Sequence, residues 1–588
     1  MVKAKGINMD KFYICCLRKQ FVMCVFLLNV FLMAFFNAKA QQNDVTKLQE
    51  KVQNAIAAAQ MSSVLITDYD TITAHPYGSR FSGVIVNKEG MILTVAHASN
   101  PNAIYQVTCQ DGQRFTAKGL GKVAGIGVAM MKINEKGNWH IARLGSSGKI
   151  KVNEPCISIA YPASFDNMIP VVRFGYIAEK VNQTQQNRFR TTCLMEPGDS
   201  GGPVYDLSGN LIGMNNNIER GLDENYEVPI DLYKKYWNAL LQPENYENIP
   251  IGESIEEDLS IDVKSDFSDI TTFGNSLIEK EKIISNTVIK IESDQGGKKI
   301  TAQGTLVTVD GLTLIVSKNS IIGENPIFKG DDGKINPLLT SFQDVKNDLV
   351  LLTGDGLPES KINMDLITQS KENNSEIGKL LYSPLSDGSG SWSILGTTVF
   401  DLESKFRAGY SGIETRESEG TLRVDRIASK TDAENFDFRK DDVIISVDGK
   451  KVNTQKEFLS IIRKKMPNDY ILITTERANK KNTSKVRLEK LPVFTPDHPA
   501  SFFQGGRSTI RDGFNNVFVT DSRLSPSECG GPVFDLQGRL MGLNIARYSR
   551  VSNIVLSANE LDKFIKAAIA NNKIQLKSGN TPFAKVNL

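Results

Sequence analysis

The chain has 588 residues and a net charge of +2, with 40% hydrophobic and 23% charged residues. This length is too great for one domain, so three or four compact units are expected, with the composition of ordinary folded domains. Six basic residues and one acidic residue lie in the first forty, which leaves the remainder slightly acidic and without an electrostatic basis for nucleic-acid binding.

Residues 1–40 have the pattern of a secretory signal peptide. Basic residues precede the apolar run Phe21–Phe36, and Ala38-Lys39-Ala40 places small residues at the −3 and −1 positions of a cleavage point before Gln41. A membrane anchor is the alternative, but sixteen apolar residues are short for a membrane span. We expect an exported protein, periplasmic or secreted, with no stable membrane anchor after cleavage.

Cysteine usage does not indicate a disulfide scaffold. Three of the seven cysteines lie in the predicted signal peptide, and the other four are spread thinly over the rest of the chain. Cys156 and Cys193 could pair, and buried free thiols are the other interpretation.

Short alternating segments separated by glycine and polar turns predict a mostly β protein. The segments Phe81–Ala98 and Gln303–Ser320 both read as strand, turn, strand. Placing Gly83 on Gly304 puts His97 on Lys318 without a gap. The same alignment puts residues 127–133 on residues 348–354, so we predict an internal repeat.

A second match between the two copies lies further along the chain, at a larger offset. Gly201–Asn215 and Gly530–Asn544 agree at ten of fifteen positions. The second copy therefore holds a long insertion, most of it between Ala408 and Pro492.

The motif Gly198-Asp199-Ser200-Gly201-Gly202-Pro203, with His97 at the end of a strand in the context TVAHA, resembles the trypsin/chymotrypsin family. This resemblance implies that His97 is the general base and Ser200 the nucleophile. It further implies that the N–H groups of Gly198 and Ser200 bind the oxyanion. In this family the residue six positions before the nucleophile commonly forms the floor of the primary pocket, and here that residue is Leu194. A leucine at this position implies a preference for apolar or small substrate side chains. Alternatively, Leu194 is ordinary core.

The third member of the triad is missing from the first copy. Members of the family carry an aspartate where this chain has Gly127, and no acidic residue occurs from Gly112 to Asn134. Loss of this carboxylate costs a serine protease roughly 10⁴-fold in turnover. We therefore expect an impaired protease.

The second copy differs at other positions. Asp348 is present, but Lys318 falls at the position of the base and Cys529 at that of the nucleophile. We predict a degenerate site with a buried thiol. The alternative is a Cys–Lys dyad, which would require a lysine that loses its proton near neutral pH.

Most of the additional residues resemble a bacterial PDZ domain. The resemblance rests on Tyr410-Ser411-Gly412-Ile413, on Asp441–Val452 and on a helix beginning at Thr454. It implies that the Tyr410–Ile413 loop binds the terminal carboxylate of a peptide that adds as a strand. The alternative is a groove filled by the chain itself. Trypsin-like barrels with PDZ modules resemble the HtrA class of exported serine proteases, although here the PDZ unit interrupts the second copy.

The expected fold is mostly β, with two trypsin-like double β-barrel units and an inserted PDZ-like α+β domain. The expected function is an exported serine endopeptidase acting on protein substrates, and the alternative is a catalytically silent pseudoprotease that binds peptides. Peptides, unfolded protein segments and C-terminal peptides are the expected partners, with no nucleic acid, metal or cofactor. The predicted division is signal peptide 1–40, protease domain 41–245, acidic linker 246–285, degenerate domain 286–407 and 493–575, and PDZ-like domain 408–492.

Overall fold

The computed structural model describes residues 45–181, 187–251, 287–330, 332–364, 376–491 and 498–571. The predicted signal peptide and most of the predicted acidic linker lie outside these residues. Within them, no helix is both long enough and apolar enough to span a bilayer. The described chain is mostly β, which confirms the predicted fold class.

The first unit consists of two closed six-stranded barrels. Strands β1–β6 form one barrel through the pairing of β5 with β6, and β8–β13 form the other through β11 with β12. The strands are β1 (Ser63–Asp70), β2 (His75–Ile85), β3 (Met91–Val95), β4 (Ile104–Thr108), β5 (Arg114–Val123), β6 (Val128–Ile133), β7 (Arg143–Leu144), β8 (Pro155–Ala160), β9 (Val171–Glu179), β10 (Phe189–Thr191), β11 (Pro203–Asp206), β12 (Asn210–Ile218), β13 (Asn225–Pro229) and β14 (Asn245–Tyr246). Alternating burial along β4 and β5 shows why these segments form barrel walls, with one face inward and one outward.

The second unit has two seven-stranded sheets, and its strands pair in the same cyclic order as their counterparts in the first unit. One sheet has the order β19-β18-β15-β16-β17-β21-β20, and the other β23-β22-β34-β35-β36-β33-β24. The strands are β15 (Val288–Gln295), β16 (Lys298–Val309), β17 (Leu312–Lys318), β18 (Glu324–Lys329), β19 (Ile335–Pro337), β20 (Leu339–Asp344), β21 (Leu349–Thr353), β22 (Leu380–Pro384), β23 (Gly390–Ile394), β24 (Phe400–Leu402), β33 (Phe514–Thr520), β34 (Pro532–Asp535), β35 (Leu540–Arg547) and β36 (Asn553–Ser557).

A PDZ-like domain with its own apolar core lies between β24 and β33. Its strands are β25 (Gly409–Tyr410), β26 (Ile413–Ser418), β27 (Thr421–Ile427), β28 (Val443–Val447), β29 (Lys450–Lys451), β30 (Tyr470–Arg477), β31 (Lys480–Arg487) and β32 (Glu489–Lys490). Helix Gln455–Ile462 begins at a capping box in which Thr454 and Glu457 satisfy each other's backbone N–H groups. Pairing of β25 with β32 brings the two ends of the domain together.

Helical residues 45–59 join the two units. Their apolar side chains belong to a core that also contains Leu380, Ile394 and Leu536 of the second unit. The remaining described α-helices are Ile230–Lys235, Trp237–Leu240 and Ala558–Ala570. Because residues of both units bury their apolar side chains in this one core, the two units are held side by side.

The structure corrects the register of the repeat at the hairpin before the candidate base. In the first unit the Thr94 hydroxyl donates to Ser82 O at 2.9 Å, and in the second the Ser317 hydroxyl donates to Gln303 O at 2.6 Å. The two acceptors match in the ungapped alignment, but that alignment places Thr94 on Ile315 instead of Ser317. The strand after the turn is therefore shifted by two positions.

This shift puts Ser320, and not Lys318, at the position that corresponds to His97. Lys318 corresponds to Val95, inside the strand. The reason is the length of the hairpin arms: β16 and β17 run up to the two-residue turn Asp310-Gly311, whereas the first hairpin has shorter arms and turns through four residues. The correspondence of residue 348 with residue 127 is unaffected.

Candidate active site

The structure brings His97 and Ser200 together. His97 lies two residues after the end of β3, and Ser200 precedes β11. The His97 Nε2 atom lies 3.0 Å from the Ser200 Oγ atom. The nucleophile loop is tied to the first barrel because Ser82 N donates to Ser200 O at 2.9 Å. His97 is exposed and Ser200 is partly exposed. A substrate can therefore reach both atoms from solvent.

The two predicted oxyanion donors are free of protein acceptors in the part of the chain that the structure describes. Gly198 has a φ of +100°, and a Cβ atom there would collide with Ala163 N. Only glycine fits this conformation and this close approach. The N–H groups of Gly198 and Ser200 are thus left for an external acceptor, as an oxyanion hole requires.

The triad position that lacks its carboxylate lies next to the base, and the guanidinium of Arg188 is located there. Ala96 N donates to Gly127 O at 3.0 Å, so Gly127 is adjacent to the residue before His97. A Cβ atom on Gly127 would lie 2.5 Å from Arg188 Nη2, and Arg188 Nη1 donates to Ile126 O. A guanidinium therefore occupies the space that the resemblance assigns to a carboxylate.

Arg188 changes the electrostatics of the base. Partial removal of the imidazole from water lowers the pKa of His97 below its ordinary value of 6.5, and the positive charge of Arg188 lowers it further. The imidazole is consequently neutral near pH 7 and can accept a proton. The imidazolium that forms during catalysis is disfavoured, whereas a carboxylate would stabilise it. Sequence reasoning missed Arg188 because an isolated arginine, far from Gly127 along the chain, carries no motif.

A buried ion pair supports the nucleophile loop. Asp199, next to Ser200, accepts a hydrogen bond from Arg173 Nη2 at 3.2 Å, and its Oδ2 forms an ion pair with Arg173 Nη1 at 2.9 Å. Both side chains are completely buried. Burial raises the pKa of Asp199, and the guanidinium opposes that shift. Arg173 lies in β9, so barrel formation itself delivers the counter-charge.

Leu194 lies three residues after the end of β10 and is 2% exposed. The neighbouring Cys193 has its sulfur 3.9 Å from that of Cys156, and both are buried free thiols in this structure.

In the second unit, Asp348 and Lys318 form a completely buried ion pair. Ser320 also donates to the Asp348 carboxylate, through its N–H at 2.7 Å and its hydroxyl at 2.8 Å. Lys318 further donates to Ile510 O at 2.7 Å. The Lys318 ammonium is thus held by a carboxylate and by a backbone carbonyl oxygen.

Cys529 is completely buried, and burial raises the pKa of its thiol. Its sulfur contacts Ser525 O at 3.8 Å. A buried protonated thiol is a poor nucleophile, because the thiolate is the reactive form.

The predicted peptide-binding loop lies at an open edge of the PDZ-like sheet. Gly412 has a φ of +77°, and a Cβ atom there would collide with Thr431 Oγ1. Ile413 begins β26, which is the edge strand of its sheet, and Ser411 and Ile413 are buried while Tyr410 is half-buried. An edge strand beside this loop can pair with an added peptide strand.

Comparisons with known proteins find similarity in the protease-like and PDZ-like regions. A family profile described as "Trypsin-like peptidase domain" matches residues 81–214, and one described as "PDZ domain" matches residues 409–488. The chain is 29% identical over 184 residues to a "Probable periplasmic serine endoprotease DegP-like" of Pseudomonas putida, covering 30% of this chain and 38% of the relative. A protein of the same description from Marinomonas sp. is 21% identical over 393 residues, covering 65% of this chain and 73% of the relative.

The chain spans less than half the length of several relatives. The matched region covers 42%, 38% and 34% of three of them, and the second of these is the Pseudomonas putida protein. A solved structure titled "Crystal structure of the serine endoprotease from Yersinia pestis" is 14% identical, with a TM-score of 0.29, covering 75% of this chain and 98% of that chain. The low TM-score means that this likeness carries no weight for the site.

Proposed function

We propose that this protein is an exported serine endopeptidase of the HtrA type, in which the first unit carries the chemistry. The observation that carries the proposal is the 3.0 Å contact between His97 Nε2 and Ser200 Oγ at a solvent-accessible position. The match of residues 81–214 to the trypsin-like peptidase profile supports it. Relatives described as periplasmic support export, with cleavage of residues 1–40.

In the proposed reaction, Ser200 Oγ attacks the carbonyl carbon of a peptide bond while His97 Nε2 takes the hydroxyl proton. The carbonyl oxygen becomes an oxyanion and accepts hydrogen bonds from the N–H groups of Gly198 and Ser200. His97 then gives the proton to the departing amine, which leaves an acyl ester on Ser200. A water molecule hydrolyses the ester, with His97 acting once more as base and then as acid.

This chemistry is slowed at the step that charges His97. With Gly127 in place of an aspartate and the Arg188 guanidinium beside it, the imidazolium lacks its usual stabilisation. Because a triad without its carboxylate keeps a residual rate enhancement of roughly 10³-fold over water, weak activity persists.

We assign no catalytic role to the second unit. Its Lys318–Asp348 ion pair is buried and its Cys529 thiol is buried and protonated, as in a degenerate protease copy. The PDZ-like domain supplies a binding site for peptides or unfolded segments, including C-terminal peptides, at the Tyr410–Ile413 loop and the edge of β26.

A second candidate function is a silent peptide-binding pseudoprotease. The presence of Arg188 at the triad position favours it, since a cation opposes the charge that develops on His97. In this case the two units and the PDZ-like domain would bind protein segments without cutting them.

Labelling with a fluorophosphonate separates the two functions. Wild-type mature protein should become labelled slowly at Ser200, and Ser200→Ala should not be labelled. Cys529→Ala is the matched control, because it changes the corresponding residue of the second unit and should label as wild type does. Wild-type protein that stays unlabelled while a control protease reacts would refute the peptidase and favour the silent binder.

A further inference from the structure

One arginine of the second unit is buried entirely within the first. Arg550 lies in the turn between β35 and β36 and is 0% exposed. Its Nη1 donates to Met195 O at 3.0 Å and to Asn225 Oδ1 at 2.6 Å. Its Nη2 donates to Gly221 O and, at 3.4 Å, to Glu219 O. All four acceptors belong to the first unit.

One of these acceptors lies beside the expected floor of the primary pocket. Met195 follows Leu194, the expected floor of the primary pocket, and lies shortly before Ser200 in the nucleophile loop. Asn225 Oδ1 also accepts from Met195 N at 3.2 Å, which joins the nucleophile loop to the β12–β13 hairpin. The Arg550 guanidinium lies between these two segments. His97 and Ser200 nevertheless remain accessible to solvent.

We propose that Arg550 fills the deep part of the primary pocket and is a specificity-determining residue, so that only glycine, alanine or serine is accepted immediately before the cleaved bond. This inference rests on the proposed peptidase function and narrows its substrate class. It narrows the expectation from Leu194, which allowed apolar or small side chains.

The Arg550 guanidinium closes the pocket sterically and does not bind an acidic substrate side chain. Four of its five N–H groups donate to atoms of the first unit, and only Nε has no protein acceptor among the described residues. A single N–H group is left, so a substrate carboxylate could not form the two parallel hydrogen bonds by which arginine usually binds it. The positive charge also excludes lysine and arginine side chains, which the pocket could not neutralise.

The proposal gives the second unit a role that needs no catalytic residues. Its β35–β36 turn is the counterpart of the turn that follows β12 in the first unit, and it contributes one side chain to the neighbouring pocket. A pocket completed by a second unit also explains a completely buried arginine that forms no carboxylate ion pair in the described structure.

The test uses peptidyl diphenyl phosphonates with alanine, leucine, phenylalanine or glutamate at the position that enters the pocket. Labelling of Ser200 is followed by mass spectrometry in the wild type, Arg550→Ala, Arg550→Lys and Arg523→Ala. Arg523 is the matched control, because it also reaches the first unit, at Asp223 Oδ1, but is exposed there.

We expect the wild type to react with the alanine probe faster than with the leucine probe, on the order of 10–200-fold. Arg550→Ala should lose most of that ratio by reacting faster with leucine and phenylalanine. Arg550→Lys should keep a preference for alanine, and Arg523→Ala should match the wild type.

A wild type that prefers leucine, phenylalanine or glutamate overturns the proposal without any variant, so it stays testable if Arg550→Ala does not fold. Arg550→Ser serves as a second opening variant, meaning one that removes the side chain proposed to fill the pocket. An unchanged alanine-to-leucine ratio in a folded opening variant also overturns it. If a simple fluorophosphonate still labels Ser200 in that case, the peptidase function stands and only the role of Arg550 fails. If no probe labels Ser200 in any variant, both fail.

Discussion

Restoring the triad carboxylate tests the role of Arg188. The perturbation is Gly127→Asp, alone and together with Arg188→Met. Gly127 has a φ of +76°, which most side chains avoid, but Asp348 occupies the equivalent position of the second unit with a φ of +56°. The chain itself therefore shows that an aspartate can adopt this backbone conformation, which aspartate tolerates better than most residues.

The single variant should gain little. The new Cβ atom would lie 2.5 Å from Arg188 Nη2, so the carboxylate would come within reach of the guanidinium. At an effective dielectric constant of about 20, two unit charges about 4 Å apart attract by about 4 kcal/mol. This attraction competes with the hydrogen bond to His97. We expect a gain of about tenfold or less from Gly127→Asp alone.

The double variant should gain more, because Arg188→Met removes the competing cation and leaves a side chain of similar length. The limit is the roughly 10⁴-fold that the carboxylate contributes in a complete triad. We expect about 10²- to 10⁴-fold over wild type in kcat/KM. Arg188→Met alone should raise the rate modestly, since His97 loses a repulsive neighbour.

The assay is kcat/KM on a fluorogenic peptide with alanine before the cleaved bond, measured for all four proteins as a double-mutant cycle. Thermal unfolding and fluorophosphonate labelling establish that each protein is folded. Equal gains from the single and double variants would mean that Arg188 does not hold the new carboxylate. Absence of any gain in a folded double variant would refute the placement of Gly127 beside His97.

Three further predictions concern the surroundings of the site. Because the pKa of His97 is lowered and its neutral form is the base, labelling of Ser200 should fall on acidification with a midpoint below 6.5, the ordinary pKa of histidine; a midpoint above 6.5 contradicts this. Arg173→Met should lower the free energy of unfolding by about 3–5 kcal/mol in denaturant titrations, because it leaves a buried carboxylate without its counter-charge. Arg190 forms a partly exposed ion pair, so Arg190→Met should lower the free energy of unfolding by less than about 1 kcal/mol. Equal losses in the two variants would refute the buried pair. Cys529→Ala should cost on the order of 1 kcal/mol and leave activity unchanged, and rapid alkylation of the wild-type thiol by iodoacetamide at pH 6 would contradict its burial.

The sequence by itself determined the features that depend on short stretches of chain. The hairpin of Phe81–Ala98, the loop around Ser200 and the helix that begins at Thr454 each need only neighbouring residues: alternating apolar side chains, glycines at positive φ and a capping box. Repetition of such local patterns was enough to predict two protease-like units and an inserted PDZ-like domain. The missing carboxylate at residue 127 was equally visible.

Only the tertiary structure decided what stands next to those features. The register of the second hairpin depended on how many residues each arm contributes before its turn, which moved Ser320 into the place expected for Lys318. Arg188 reaches Gly127, and Arg550 reaches Asn225, although each pair is far apart along the chain. Long flexible side chains meet such partners only after barrels and units have packed, because the space and the acceptors that hold a guanidinium are made by distant strands and turns together.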